Sequence, residues 1–186
     1  MKIPPGYHRQ GENRSRADYS LFFKHDEYRG STFDLVYVDD ILIGGDNIDE
    51  IKALKATLNA QFRIKDLGFP KYFLGIEIAR SSRGILLYQR KYSLDILTDM
   101  GMLGCRSART PMEQNLKLSD APPKPHYDAA LRLLHYLKGC PGKGILLSST
   151  SSLQLIAYAD SDWASCPITR RPTNGYCSFL GSSPIS

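Results

Sequence analysis

The sequence predicts an α+β fold, in which antiparallel hairpins alternate with amphipathic helices. Short apolar segments flank a polar turn at two places in the chain, which is typical of hairpins. Apolar residues at spacings of three and four lie between these two places and predict a helix. The chain has 186 residues, of which 42% are hydrophobic and 23% charged. This is enough for one ordinary domain or two small ones, and it argues against a disordered chain.

The first half of the chain is predicted to contain a hairpin followed by a helix. We expect irregular structure over residues 1–17 and strands over residues 19–24, 33–38 and 41–43. Asp39 and Asp40 separate the last two strands and predict a tight turn. Asp46 or Asn47 can cap the helix that follows. The apolar stripe of this helix consists of Ile48, Ile51, Leu54, Leu58 and Phe62.

The second half is predicted to repeat this alternation of strands and helices. Residues 80–84 separate two apolar segments and predict a second hairpin. Residues 104–125 are rich in turn formers, and the prolines within 121–125 favour a linker. The remaining elements that we expect are strands over 72–79, 85–89, 145–148, 153–158 and 175–180 and helices over 92–100 and 126–138.

The net charge of +5 is unevenly distributed along the chain. Residues 31–51 sum to −6, whereas residues 52–143 sum to +9. An acidic stretch within a basic chain is suited to a site where carboxylates hold a divalent metal beside a polyanion. An acidic surface loop is the alternative interpretation.

The cysteine pattern is not that of a disulfide-rich secreted protein. Cys105, Cys140, Cys166 and Cys177 have no C-x-x-C spacing and complete no zinc pattern, so we expect reduced thiols in an intracellular protein, cytoplasmic or nuclear. No apolar run approaches the length of a membrane span, and we expect no membrane partner.

Asp39 and Asp40 are the strongest candidate metal ligands. Adjacent side chains alternate faces in a regular strand, but a tight turn can project both carboxylates to one side. Such a pair suits Mg²⁺, which prefers oxygen ligands, and two-metal phosphoryl transfer. A polar hairpin tip without a ligand is the alternative, because Asp favours turns.

Asp160 and Asp162 form a second acidic site after the predicted strand at 153–158. A carboxylate at a strand end can begin another metal site, with Asp160 the stronger candidate. The alternative is a simple turn beside a buried Trp163.

Residues 37–43, Tyr-Val-Asp-Asp-Ile-Leu-Ile, resemble the polymerase motif of reverse transcriptases. Residues 17–22, 62–68, 72–78 and 89–92 are similar, in the same order, to the copia-type retrotransposon reverse transcriptase. The resemblance implies that Asp39 and Asp40 are catalytic and bind Mg²⁺, and that the partner is an RNA or DNA template-primer. It also implies a partial palm, with an antiparallel sheet backed by helices.

The end of the chain resembles the next part of the same Pol polyprotein. Residues 124–139 are similar to its connection, and residues 160–177 are similar to the opening of its ribonuclease H domain. By this resemblance Asp160 is the first metal-binding carboxylate of the nuclease, in an incomplete ribonuclease H-like sheet. The implied division is an N-terminal remnant (1–16), palm and thumb-like region (17–118), linker and connection helix (119–143) and ribonuclease H-like start (144–186).

The resemblance also implies that parts of the family pattern are missing from these residues. The first catalytic aspartate of the polymerase would precede residue 1, and the remaining ribonuclease H carboxylates would follow residue 186. The family segment that contacts template and nucleotide is skipped between residues 13 and 16, and a helical stretch is skipped between 118 and 122.

Because of these gaps, we expect little or no polymerase or nuclease activity from this chain alone. Two alternatives stay open. One is a residual nucleic-acid-binding module that uses the basic stretch at 52–143, and the other is a decayed element without function. Phe62, Tyr72, Phe73 and Tyr92 lie among the basic residues, and we expect them mainly to pack in a core.

Overall fold

The computed structural model describes residues 20–26, 30–114, 116, 123–162, 170 and 172–186. Helices and antiparallel sheets make up these residues, so the α+β expectation is confirmed at this level. The chain divides into two compact units, Met1–Phe73 and Leu74–Ser186. The predictions for residues 1–17, for the linker residues 121–122, for Trp163 and for Cys166 lie outside the described residues.

The first unit is a three-stranded antiparallel meander with one helix. Its strands follow the order β1-β2-β3, as expected for strands joined by short connections. The elements are β1 (Leu21–Asp26), β2 (Gly30–Tyr37), β3 (Asp40–Gly45), α1 (Ile48–Phe62) and the short β4 (Tyr72–Phe73). The hairpin and the helix were both predicted from the sequence.

Helix α1 begins at a side-chain cap and contributes the core of the first unit. The Asn47 Oδ1 atom accepts hydrogen bonds from the backbone N–H groups of Asp49 (3.0 Å) and Glu50 (3.2 Å). Of the two predicted caps, Asn47 is therefore the one that acts. Leu54 and Leu58 are buried and pack against the partly buried Phe22, Ile41, Ile43 and Ile64.

The predicted apolar stripe of α1 is buried only in its middle. Ile48 and Phe62, at the two ends of the helix, are exposed. An ion pair between Lys24 on β1 and Glu50 on α1 joins the sheet to the first turn of the helix. Both side chains are half-buried, with 33% and 14% of their surface exposed, so removal of either one would leave a partly desolvated charge without its partner.

The second unit contains two antiparallel sheets and two helices. The neighbouring strands β5, β6 and β7 form one sheet, and the other has the order β10-β9-β8. The elements are β5 (Ile76–Ser81), β6 (Gly84–Tyr88), α2 (Arg90–Asp99), α3 (Pro123–Gly139), β7 (Gly144–Ser148), β8 (Leu155–Asp162), β9 (Thr173–Leu180) and β10 (Ser183–Pro184). Leu97 on α2 is fully buried.

Two predicted elements differ from the structure for reasons that lie in the local backbone. The expected strand at 72–79 is interrupted, because Leu74 (φ 50°) and Gly75 (φ 82°) adopt left-handed backbone conformations. Helix α3 begins at Pro123 rather than at residue 126, so part of the predicted linker is its first turn. Proline is tolerated there because the first-turn N–H groups have no partner within the helix.

The strand β8 is longer than the sequence predicts. It continues to Asp162 and pairs with β9 in the register Leu155↔Leu180 to Asp162↔Thr173. Asp160 and Asp162 therefore lie within a strand rather than after its end. None of the described helices combines the length and the apolar character that a membrane span requires.

Candidate functional site

The turn between β2 and β3 presents the predicted carboxylate pair. Tyr37 and Asp40 are cross-strand partners, so the loop consists of only two residues, Val38 and Asp39. Two-residue hairpin loops take primed turns, whose first position has a positive φ. Val38 has a φ of 49°, which is an unfavourable conformation for a β-branched side chain. The turn is therefore a strained one.

Asp39 and Asp40 are both exposed and both line one groove in the first unit. The groove has a volume of about 590 Å³ and lies between the β3 end of the hairpin and the segment after α1. Its walls comprise residues 39–43, Lys55 and residues 64–73. The turn thus brings the two adjacent carboxylates to a common space.

An ion pair fixes the opposite wall of this groove. The Lys55 Nζ atom on α1 lies 3.1 Å from Oδ1 and 3.0 Å from Oδ2 of Asp66. The backbone N–H of Gly68 donates to the same Oδ1 atom at 2.9 Å. The Gly68 hydrogen bond first, and then the Lys55 ammonium, hold the pKa of Asp66 below its ordinary value of 3.8. The hydrogen bond from Gly68 closes a small loop over residues 66–68, and the ion pair of Asp66 with Lys55 links this loop to α1.

The remaining charges of the groove are arranged in two groups. Asp66 and Lys55 pair with each other. The charged side chains that remain in the groove are the acidic Asp39 and Asp40 and the basic Lys65 and Lys71. Carboxylates that can hold a divalent cation, together with exposed ammonium groups, suit a phosphate that is neutralised from both sides.

Exposed apolar side chains lie close to the two lysines along the chain. Leu67 is 79% exposed, Phe69 75% and Tyr72 57%. Phe62 and Tyr92 are also exposed, so the expectation of core packing was wrong for Phe62, Tyr72 and Tyr92, whereas Phe73 is half-buried. Phe69 and Tyr72 thus present aromatic surface to solvent at the groove.

The chemistry of the pair fits a hard divalent cation, although the ligand set is small. Asp39 and Asp40 supply carboxylate oxygens, the ligands that Mg²⁺ prefers. Within the described ranges, no cluster of three or more His, Cys, Asp or Glu side chains forms a metal-binding group. A complete two-metal site normally contains further carboxylates.

Asp160 lies in the second unit, near the end of β8. It is exposed and is the cross-strand partner of Gly175 on β9. Asp162 lies two residues further along the same face and is exposed as well. The two side chains share a sheet face.

No role was predicted from the sequence for Lys55, Lys65, Asp66 and Lys71. Their signal was the switch in charge, from −6 over residues 31–51 to +9 over residues 52–143. That switch indicated a basic flank, but it did not identify which lysines meet the carboxylate pair in one groove.

Comparison with known proteins identifies the family. A family model described as "Reverse transcriptase (RNA-dependent DNA polymerase)" matches residues 7–114. The chain is 33% identical over 192 residues to the "Uncharacterized mitochondrial protein AtMg00810" of Arabidopsis thaliana. This match covers 82% of this chain and 80% of that protein. No solved structure has a significant match to the chain.

Two longer relatives carry descriptive names. The chain is 33% identical over 213 residues to the "Retrovirus-related Pol polyprotein from transposon RE2" and 34% identical over 215 residues to that from transposon RE1, both of Arabidopsis thaliana. Each match covers 92% of this chain, but only 15% of RE2 and 14% of RE1. The chain therefore belongs to the reverse transcriptase (RNA-dependent DNA polymerase) family, as its copia-type resemblance predicted.

Proposed function

We propose that the chain carries part of the palm of a copia-type reverse transcriptase followed by the start of a ribonuclease H. The palm and thumb-like region would occupy residues 17–118, after a remnant at 1–16. The linker and connection helix would occupy 119–143 and the ribonuclease H-like start 144–186. The family match over residues 7–114 and the carboxylate hairpin within it support this proposal.

Asp39 and Asp40 are the proposed Mg²⁺ ligands of the polymerase site, and Asp160 that of the nuclease site. The observation that carries the first assignment is that a two-residue turn brings both carboxylates to one groove, which lysines also line. When bound, Mg²⁺ supplies the charge that stabilises phosphoryl transfer. The role of Asp39 and Asp40 is to bind the Mg²⁺ ion, while Lys65 and Lys71 attract the phosphate backbone of the nucleic acid.

A magnesium titration tests the ligand assignment. We expect amide resonances of residues 38–41 to shift on addition of Mg²⁺ and the shifts to be lost in the Asp39→Asn, Asp40→Asn double variant. The Asp49→Asn variant is a matched control, because Asp49 is an exposed aspartate of the same unit outside the groove. Equal shifts in the double variant, or none in the unsubstituted chain, would exclude the assignment.

We further propose that these 186 residues alone have little or no polymerase activity. The support is the family resemblance, in which another catalytic aspartate and the nucleotide-contacting segment have no counterpart in this sequence. Loss of a bridging carboxylate reduces two-metal catalysis by orders of magnitude, because the reacting groups lose their alignment.

A primer-extension assay with Mg²⁺ tests this inactivity, with an active reverse transcriptase as the positive control. We expect no template-dependent synthesis. Synthesis that is present in the unsubstituted chain and abolished by Asp39→Ala would show that the residues suffice for catalysis.

A second candidate function is the binding of nucleic acid without chemistry. The observation that favours it is the exposure of Phe69 and Tyr72 beside Lys65 and Lys71 in the groove. Lysines contact phosphates, and exposed aromatic rings stack on bases in proteins that bind single strands. This function needs no third carboxylate.

The salt dependence of binding to an RNA–DNA hybrid tests this second candidate. We expect the Lys65→Ala and Lys71→Ala variants each to reduce the slope of log affinity against log salt by about 1. Lys52→Ala is the matched control, because Lys52 is exposed on α1 and does not line the groove. Binding no tighter than that of an unrelated basic protein would remove this candidate and favour an element without function.

A further inference from the structure

The segment that follows α1 is anchored to the helix and to the core before it reaches the groove. Arg63 ends the helix with a φ of 53°, and its backbone N–H donates to the carbonyl oxygen of Asn59 at 2.9 Å. Ile64 then packs against the buried leucines of α1. The next residues line the groove together with Asp39 and Asp40. The first part of this segment is therefore fixed by contacts to α1.

Asp66 is the anchor of the part that lines the groove. Its carboxylate accepts hydrogen bonds from the Lys55 Nζ atom, at 3.1 and 3.0 Å, and from the backbone N–H of Gly68 at 2.9 Å. Gly68 has a φ of 77°, which glycine adopts without steric cost. Asp66 thus links the segment to α1 and stabilises its turn, while the neighbouring Lys65 and Leu67 stay exposed.

Two lysines of the groove lie close to this anchor along the chain. Lys65 directly precedes Asp66, and Lys71 follows Gly68 by three residues. Both are exposed, and neither forms an ion pair with another residue that the structure describes. Their ammonium groups can therefore contact phosphates. A segment that is held in one conformation presents such groups with a smaller loss of conformational entropy on binding.

The charge of Asp66 by itself opposes the binding of a polyanion. A carboxylate repels phosphates, so electrostatics alone predicts that its removal strengthens binding. Lys55, however, pairs with this carboxylate at 3.0 Å, and the pair has no net charge. The repulsion is therefore small, whereas the anchoring affects both Lys65 and Lys71. These two effects of Asp66 have opposite signs, so a measurement of affinity separates them.

We propose that Asp66 is a positioning residue for nucleic-acid binding, which strengthens the affinity of the groove although its own charge is negative. This inference rests on the binding function proposed above for Lys65 and Lys71. Asp66 acts through these two lysines and makes no contact of its own with the nucleic acid. The structure favours anchoring over repulsion, because Lys55 neutralises the carboxylate and Gly68 donates to it as well.

Binding of the full chain to an RNA–DNA hybrid, measured across a series of salt concentrations, tests the proposal. We expect Asp66→Ala to weaken binding at low salt about threefold to tenfold, the size of one or two phosphate contacts, and to flatten the slope of log affinity against log salt. Asp66→Asn should lose less affinity, because its amide oxygen can still accept from Gly68. Hydrogen exchange of the Gly68 amide in the free chain should be faster in Asp66→Ala, since that N–H loses its acceptor.

Two variants outside the groove serve as controls. Asp49→Ala is the matched control for charge, since Asp49 also pairs with a lysine of α1, at 3.6 Å, and should leave the affinity unchanged or slightly higher. Asn47→Ala is the control for stability, because it removes the cap of α1 without altering the groove.

The outcomes separate this proposal from the binding function on which it rests. An affinity that is unchanged or higher in Asp66→Ala, or that falls equally in Asn47→Ala, would overturn the positioning role and leave the binding function in place. An unsubstituted chain that binds the hybrid no tighter than an unrelated basic protein would instead remove the binding function, and the positioning role with it.

Discussion

Lys55 on helix α1 contacts both carboxylate oxygens of Asp66, at 3.1 and 3.0 Å, across eleven positions of the chain. This contact joins the helix to the segment that forms one wall of the groove. Since Gly68 also donates to Asp66, the segment has a defined conformation where it approaches the carboxylate hairpin. An ion pair thus organises the space in front of Asp39 and Asp40.

The pKa of Asp66 is expected to rise in the Lys55→Met variant, because the hydrogen bond and the charge of Lys55, which both lower it, are removed. The rise should be partial, since the Gly68 hydrogen bond, the largest single cause of the lowered pKa, remains. A carboxyl-detected NMR titration measures it. Lys52→Met is the control, because Lys52 pairs with Asp49 instead. An unchanged Asp66 pKa in Lys55→Met would contradict the contact.

The lowered pKa of Asp66 also determines the sign of a pH effect. A carboxyl group with a depressed folded-state pKa stabilises the fold above its unfolded-state pKa, and this contribution is lost as the pH falls through the folded-state value. The free energy of unfolding should therefore fall below about pH 4. Urea titrations across this range should show a smaller decrease for Asp66→Asn, and an equal decrease would argue against a role for this group.

Val38→Gly is expected to stabilise the first unit by about 1 kcal/mol. Glycine adopts a positive φ without steric cost, and this gain exceeds the greater backbone entropy of the unfolded glycine. Val36→Gly is the matched control, because Val36 lies in the regular strand β2, where glycine is destabilising. Thermal unfolding compares the two variants. A lower melting temperature for Val38→Gly would show that the turn is not strained.

Leu58→Ala is expected to destabilise the first unit by roughly 2–5 kcal/mol, since Leu58 is buried at the centre of its core. Leu67→Ala should leave stability nearly unchanged, because Leu67 is exposed. Urea denaturation followed by circular dichroism measures both changes. Similar stabilities for the two variants would mean that Leu58 does not lie in the core of the first unit.

Asn47→Ala is expected to cost about 1 kcal/mol, because the backbone N–H groups of Asp49 and Glu50 lose their acceptor. Asn47→Asp retains an acceptor at the same place and should be nearly neutral or slightly stabilising, since a negative charge is favourable at a helix N-terminus. Denaturant unfolding distinguishes them. A cost of the same size for both variants would argue that the side chain acts in another way.

The elements that sequence predicts best are those whose cause is local. The stripe that includes Leu54 and Leu58 predicts α1, and the Asp39-Asp40 pair between apolar segments predicts the hairpin, because periodicity and turn chemistry depend on near neighbours. The start of α3 at Pro123 and the break at Leu74-Gly75 were not predicted. In both cases the residue types are compatible with more than one backbone conformation, since proline is tolerated in the first turn of a helix and glycine adopts left-handed dihedrals freely.

The sequence by itself determined the family, the carboxylate pair and the alternation of hairpins with helices, since these depend on residue identity and short spacing. Tertiary structure alone decided that Lys55 engages Asp66, which leaves Lys65 and Lys71 in the groove with Asp39 and Asp40. It also decided that β8 extends to Asp162. Charge composition can indicate that acidic and basic groups are present, but only packing of a helix on a sheet sets the distances between them.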